Sequence, residues 1–138
     1  MGEWTGTRND NFMRRRYRTN VLLVDDSATM RKIVARALKE AGLTVGEIYE
    51  AGNGIEGLAV LASPDKEVHL ILSDVNMPGM DGVEFVAAVR KSGCSLPIVM
   101  VTTETTDVLE RAFENGALSN IKKPFTAEQL REKLGNFF

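Results

Sequence analysis

Short apolar runs alternate with stretches whose apolar residues recur at helical spacing, and from Asn20 onward this alternation repeats to the end of the chain. Val21, Leu22, Leu23 and Val24 are four consecutive apolar residues, the pattern of a strand buried on both faces. Ile33, Val34, Ala37, Leu38 and Ala41 then fall at helical spacing, and Gly42 supplies a C-terminal stop. A second strand is expected over residues 48–51 and a short helix over residues 55–61. A third strand over residues 68–72 leads into Ser73 and Asp74, followed by Gly- and Pro-rich turn chemistry over residues 76–82. Asp81 with Glu84 three positions later marks a helix start, with Phe85, Val86 and Val89 as its buried stripe. A fourth strand over residues 98–101 precedes a Thr-rich loop and a helix over residues 107–115, ended by Gly116. The fifth strand is short, over residues 119–121. Pro124 breaks the chain, and Thr126 with Gln129 forms a capping-box pattern opening a last helix with Leu130 and Leu134 inward.

Parallel strands need crossover connections, and these are right-handed, so five strands alternating with five helices predict one α/β doubly wound domain with helices on both faces. The chain has 138 residues, enough for one domain whose core needs no disulfide or structural metal. At 43% hydrophobic and 26% charged residues the composition is globular. A formal net charge of −2 predicts no strong general affinity for nucleic acid or for membrane surfaces. Cys94 is the single cysteine, which excludes an intramolecular disulfide, and it reads as a small filler near a turn. No apolar run approaches the ~20 residues that span a bilayer, and no signal-peptide pattern opens the chain, so a soluble, cytoplasmic protein is expected.

Residues 1–18 are polar and aperiodic and read as a tail ahead of a domain over residues 19–138. Arg14, Arg15, Arg16 and Arg18 form a basic cluster that reads as a solvated terminus rather than a nucleic-acid arm, and Met13 is an alternative start.

In doubly wound sheets the site lies beyond the carboxyl ends of the strands. The residues there are charged or hydroxylic. Asp25 and Asp26 end the first strand, Asp74 ends the third, Thr102 and Thr103 end the fourth, and Lys122 and Lys123 end the fifth. An Asp pair before a helix is commonly a cap plus a solvated acid, and a lone strand-end Asp is commonly a turn residue. Convergence changes that reading, because three neighbouring carboxylates repel one another unless protonated or bound to a cation. A few hard oxygen ligands with room left for water and phosphate oxygens favour Mg²⁺ over a closed Ca²⁺ cage. Three carboxylates and one lysine carry roughly −2, and Mg²⁺ brings the site to about zero before a phosphate dianion arrives. One carboxylate can then attack phosphorus while Mg²⁺, an ammonium and a hydroxyl hold the equatorial oxygens. Asp74, delivered by the central strand, is the nucleophile candidate.

The segments Leu23-Val-Asp-Asp-Ser-Ala-Thr-Met-Arg, Ser73-Asp-Val-Asn-Met-Pro-Gly-Met-Asp-Gly, Met100-Val-Thr-Thr-Glu and Lys122-Lys-Pro-Phe-Thr resemble the receiver domains of response regulators, and most closely those of chemotaxis. The likeness covers residues 20–138, with one motif per strand end. It implies the strand order 2-1-3-4-5, Asp74 as phosphoacceptor, Asp26 as a direct Mg²⁺ ligand, Asp25 as a contributor through water, and the backbone carbonyl of Asn76 as a further ligand. Thr102 would be the switch hydroxyl and Lys123 the phosphate-pairing cation. The Lys123–Pro124 bond is cis in many members of the family. A histidine kinase would be the phosphodonor, and the output partner a flagellar motor switch protein or another phosphorylation-dependent target, with a phosphatase to reset it. The protein would catalyse only its own phosphorylation and dephosphorylation.

His69 lies inside the third strand run, away from the strand ends, and reads as structural. Met77 and Met80 read as loop packing. A flavodoxin-like FMN module would need an uncharged Ser/Thr/Gly-rich loop where Asp25 and Asp26 stand. A Mg²⁺-dependent phosphatase with an Asp nucleophile would have an Asp-x-Asp pair after the first strand, whereas these acids are adjacent. A phosphorelay shuttle outside chemotaxis is the alternative output. The family's aromatic switch position, three residues before the site lysine, is Asn120, and the following helix start, Thr106 and Asp107, lacks the basic residues of the motor-binding regulators. A modified switch is therefore expected.

Overall fold

A computed structural model of the chain describes residues 18–104 and 106–138. The Arg14, Arg15 and Arg16 cluster and most of the expected tail lie outside the described residues.

The strands are β1 (Thr19–Val24), β2 (Val45–Ala51), β3 (Leu70–Ser73), β4 (Ile98–Thr102) and β5 (Ser119–Lys122). They alternate with helices α1 (Ala28–Glu40), α2 (Gly54–Ala62), α3 (Gly82–Lys91), α4 (Thr106–Glu114) and α5 (Ala127–Leu134), followed by a 3₁₀ turn at Gly135–Phe137. All neighbouring strands run parallel in the order β2-β1-β3-β4-β5. This is the expected doubly wound α/β architecture.

The period-2 alternation of the strands divides the interior into two clusters. Leu22, Val24, Ile71, Ile98 and Met100 face α2, α3 and α4, where Phe85, Val86, Val89 and Ala112 are fully buried. Val21, Leu23, Leu70, Leu72, Val99, Val101 and Ile121 face α1 and α5, where Leu38, Leu130 and Leu134 are fully buried. β1, β3 and β4 are therefore covered on both sides, which explains why their sequences are continuously apolar rather than alternating.

The anticipated capping box on α5 forms, and the helix start expected at Asp81 is also a capping box. Asp81 and Glu84 close reciprocally on the first turn of α3, and Thr126 and Gln129 do the same on α5. Gly42, at φ 80°, and Gly116, at φ 117°, hold the left-handed conformations that stop α1 and α4.

Two expected strand starts need correction, and two further features were not anticipated. β2 starts at Val45, not Ile48. β3 starts at Leu70, so His69 precedes the strand instead of lying inside it; its N–H donates to the Asn20 carbonyl and its ring Nδ1 accepts from the Asn20 N–H, both at 2.9 Å. Ile33, although at helical spacing, is 48% exposed. The 3₁₀ turn after α5 had no sequence counterpart; Thr19 Oγ1 donates to the Phe137 carbonyl at 2.8 Å and ties it to β1.

Candidate functional site

The ladder fixes how far each strand end reaches. Val24 pairs with both Ala51 and Ser73, so the residues that follow, Asp25 and Asp74, emerge side by side at the carboxyl edge. Two backbone bonds extend the sheet past its last pairs: Asp25 N–H donates to the Ala51 carbonyl at 3.0 Å and Asp74 N–H to the Val24 carbonyl at 2.9 Å. Each acid is thus held by a neighbouring strand.

Asp25, Asp26 and Asp74 each offer a carboxylate oxygen within 4.8 Å of the other two. Asp25 is buried and Asp26 is exposed, with Asp74 between. Lys123 Nζ lies 3.3 Å from Asp25 Oδ2 and 3.3 Å from Asp74 Oδ2, bridging two of the three acids. The remaining oxygens of those acids have backbone donors: Ser27 N–H reaches Asp25 Oδ1 at 2.9 Å, and Val75 N–H reaches Asp74 Oδ1 at 2.7 Å. Burial pushes the Asp25 carboxyl up from its ordinary range. The Ser27 N–H and the Lys123 ammonium oppose the rise, and the Asp74 charge adds to it.

Thr102 ends β4 as a buried residue, and its hydroxyl oxygen accepts from the Glu104 N–H at 3.2 Å. Thr103 lies beyond the strand and is exposed. Lys122 ends β5 exposed, opposite Thr102 in the register, while Lys123 turns into the site. The Lys123–Pro124 peptide is cis. Asn76 is exposed, and its side-chain amide donates to the Glu104 carboxylate, joining the β3–α3 and β4–α4 loops. Asn120 is half-buried on β5 and pairs in register with Met100.

Asp25, Asp26, Asp74 and Lys123 thus come together as expected from the strand ends. Three further residues carry this edge in roles that the sequence reading did not assign: Ser73, whose buried hydroxyl donates to the Asp74 carbonyl at 2.8 Å; Glu104; and Arg31, in the first turn of α1. Arg31 and Glu104 stand in the quoted motifs, but only the three-dimensional arrangement reveals their polar partners.

The acid set fits a hard divalent cation. The carboxylate oxygens converge from two strand ends, one acid stays open to solvent, and a single ammonium leaves the group short of neutral. Among the described residues no helix is long and apolar enough to cross a membrane.

Comparison with known proteins agrees with this geometry. Residues 21–135 match the response regulator receiver domain. The sensor histidine kinase CheAY of Helicobacter pylori is 42% identical over 113 residues, which is 80% of this chain but 14% of the kinase. The chemotaxis protein CheY of Pseudomonas aeruginosa is 37% identical over 121 residues, covering 86% of this chain and 94% of that protein. The solved structure of the chemotaxis response regulator CheY4 of Vibrio cholerae superimposes with a TM-score of 0.75 at 38% identity, covering 88% of this chain and all of that one. Family match, identity over nearly the whole length of a small regulator, and a shared five-stranded order converge: the chain belongs to the receiver domains of the CheY-like chemotaxis response regulators.

Proposed function

We propose that this receiver, comprising residues 19–138 behind a tail of residues 1–18, accepts a phosphoryl group on Asp74 in a Mg²⁺-dependent step in the cytoplasm. The observation that carries the reading is the convergence of three carboxylates within 4.8 Å, with Lys123 at 3.3 Å from two of them. Asp25, Asp26, Asp74 and the backbone carbonyl of Asn76 would hold the Mg²⁺. The cation supplies charge neutralisation and a template for the phosphoryl oxygens.

In the transfer, an Asp74 carboxylate oxygen forms a bond to phosphorus while the bond from phosphorus to the donor breaks. The electron pair goes to the leaving group, a histidine ring nitrogen of a kinase or the carboxylate of acetyl phosphate. The Val75 N–H fixes the Asp74 carboxylate, Lys123 balances the anion, and Thr102, held by Glu104 N–H before transfer, is the hydroxyl free to turn toward the new group. Phosphorylation then changes partner binding, and a phosphatase resets it. Intact-mass analysis after exposure to acetyl phosphate and Mg²⁺ is the test. One phosphoryl group per chain, dependent on Mg²⁺, is expected, whereas continuous turnover of added phosphomonoesters without protein labelling would favour a phosphatase instead.

For the output, a flagellar motor switch protein is the first candidate, and a phosphorelay shuttle is the second reading, favoured by Asn120. An amide driven into an apolar slot without a partner costs ~1–3 kcal/mol, so the inward swing of an aromatic is not reproduced here. Protein activated with beryllofluoride should bind a motor-switch peptide weakly, and Asn120→Tyr should tighten that binding by roughly tenfold. Strong activation-dependent binding by wild type, unchanged in Asn120→Tyr, would show that the missing ring is irrelevant.

A further inference from the structure

We propose that Arg31 is a positioning residue for the acidic pair, fixing the peptide that joins Asp25 to Asp26. The inference rests on reading the site as a Mg²⁺-dependent phosphoryl acceptor.

The starting point is a backbone deficit. β1 and β2 pair as far as Val24 and Ala51, and the Asp25 N–H still reaches the Ala51 carbonyl, but the Asp25 carbonyl lies one step beyond the ladder. A backbone acceptor in a mostly buried residue needs a donor. Arg31 provides it: Nη1 donates to the Asp25 carbonyl at 2.5 Å. The same guanidinium donates through Nε to Glu50 Oε1 at 2.7 Å, and Glu50 is the penultimate residue of β2. One planar fork therefore spans from the edge strand β2 to the first residue past β1.

The position of that fork sets its consequence. The carbonyl it grips belongs to the peptide between the two acids, so its orientation determines where the Asp26 backbone begins and how the Asp25 side chain leaves the chain. On the other side of that peptide, Ser27 N–H holds Asp25 Oδ1 at 2.9 Å, leaving Oδ2 facing Lys123. The Arg31 side chain is only 17% exposed and its bond to the Asp25 carbonyl is partly buried, while Glu50, at 39%, steadies the guanidinium from the solvent side. Lysine cannot replace it, because a single ammonium on a flexible stem lacks the rigid fork that serves both acceptors.

Charge and position predict opposite signs, which makes the role testable. Removing a cation near a metal site by electrostatics alone tightens divalent binding. Loss of a group that orients ligands weakens it, typically by tenfold or more. Calorimetric titration with MgCl₂ of wild type, Arg31→Met and Arg31→Lys separates the two, with thermal melts to establish that each variant is folded. Both variants are expected to bind Mg²⁺ roughly tenfold more weakly than wild type. In metal-free protein, amide hydrogen exchange at Asp26 and Ser27 should speed up in both. Unchanged or tighter Mg²⁺ binding by Arg31→Met, or wild-type binding and exchange in Arg31→Lys, would overturn the positioning role. Absence of Mg²⁺ binding by wild type would instead overturn the phosphoryl-acceptor reading beneath it.

Discussion

Asp74→Asn is expected to lower the rate of phosphoryl incorporation from acetyl phosphate on the order of 10³-fold or more, to the limit of detection by intact mass. The substitution keeps the shape of the side chain. It also keeps an oxygen that can accept the Val75 N–H, which reaches Asp74 Oδ1 at 2.7 Å in the native chain. What disappears is the anionic nucleophile. Asp25 and Asp26 do not substitute for it, since Asp25 is the more deeply buried acid and Asp26, exposed beyond the strand end, is not one of the two acids that Lys123 contacts. The companion variant Lys123→Ala separates chemistry from metal binding. It leaves all three carboxylates and removes a cation 3.3 Å from two of them, so Mg²⁺ binding stays intact or tightens while the phosphorylation-dependent response is damaged. A stable, stoichiometric acyl phosphate on Asp74→Asn would show that another carboxylate is the acceptor, and loss of Mg²⁺ binding in Lys123→Ala would contradict the role given to the ammonium.

The fold was legible where local signals and burial agree. Continuous apolar runs in β1, β3 and β4 mark strands covered on both faces, and charged residues directly after them mark the carboxyl edge. The starts of α3 and α5 were legible because a capping box has a fixed three-residue spacing. The beginning of β2 was not, because it is an edge strand: Gly46, Glu47 and Glu50 interrupt its apolar pattern. Gly46 is there for a reason remote in sequence, since a Cβ would fall 2.3 Å from the Asn20 side-chain oxygen that accepts the Glu47 N–H. The place of His69 just before β3, though not its structural role, was hidden for a related reason. Its neighbours are apolar, but its ring serves the Asn20 backbone, a contact that no periodicity announces. Ile33 follows the same logic in reverse: beside Val34 it satisfies helical spacing, yet only Val34 faces the sheet. For the site, residue types at strand ends revealed the acids and the lysine, whereas Arg31 and Ser73 act on backbone carbonyls and leave no charge pattern to read.

Gly82→Ala should both destabilise the fold and slow phosphoryl acceptance, through one steric conflict. Gly82 is the first residue of α3, and its N–H donates to the Val75 carbonyl at 2.7 Å. A Cβ built there would lie 2.2 Å from the Asp74 carbonyl oxygen and 2.7 Å from Val75 Cα. Both obstacles are backbone, so no rotamer change relieves the clash. One route of relief is retreat of α3, which pulls Val83, Phe85, Val86 and Val89 out of a close-packed cluster. The other is displacement of the β3–α3 connection, which carries Asp74 with it and strips its carbonyl from the Ser73 hydroxyl. Overpacking typically costs about 1–3 kcal/mol, and a clash against backbone that no rotamer relieves belongs at the upper end of that range. The better helix propensity of alanine offsets no more than ~1 kcal/mol. A misplacement of the nucleophile near 1 Å costs on the order of 10²-fold in rate. Gly135→Ala is the matched control: its φ is −54° and no atom lies within 4 Å of its Cβ position, so it should be neutral or slightly stabilising. Urea unfolding and acetyl-phosphate labelling of the two variants provide the comparison. A Gly82→Ala protein as stable and as readily labelled as Gly135→Ala would mean that the β3–α3 connection yields freely, and that the backbone around Asp74 is not the rigid frame on which the acceptor depends.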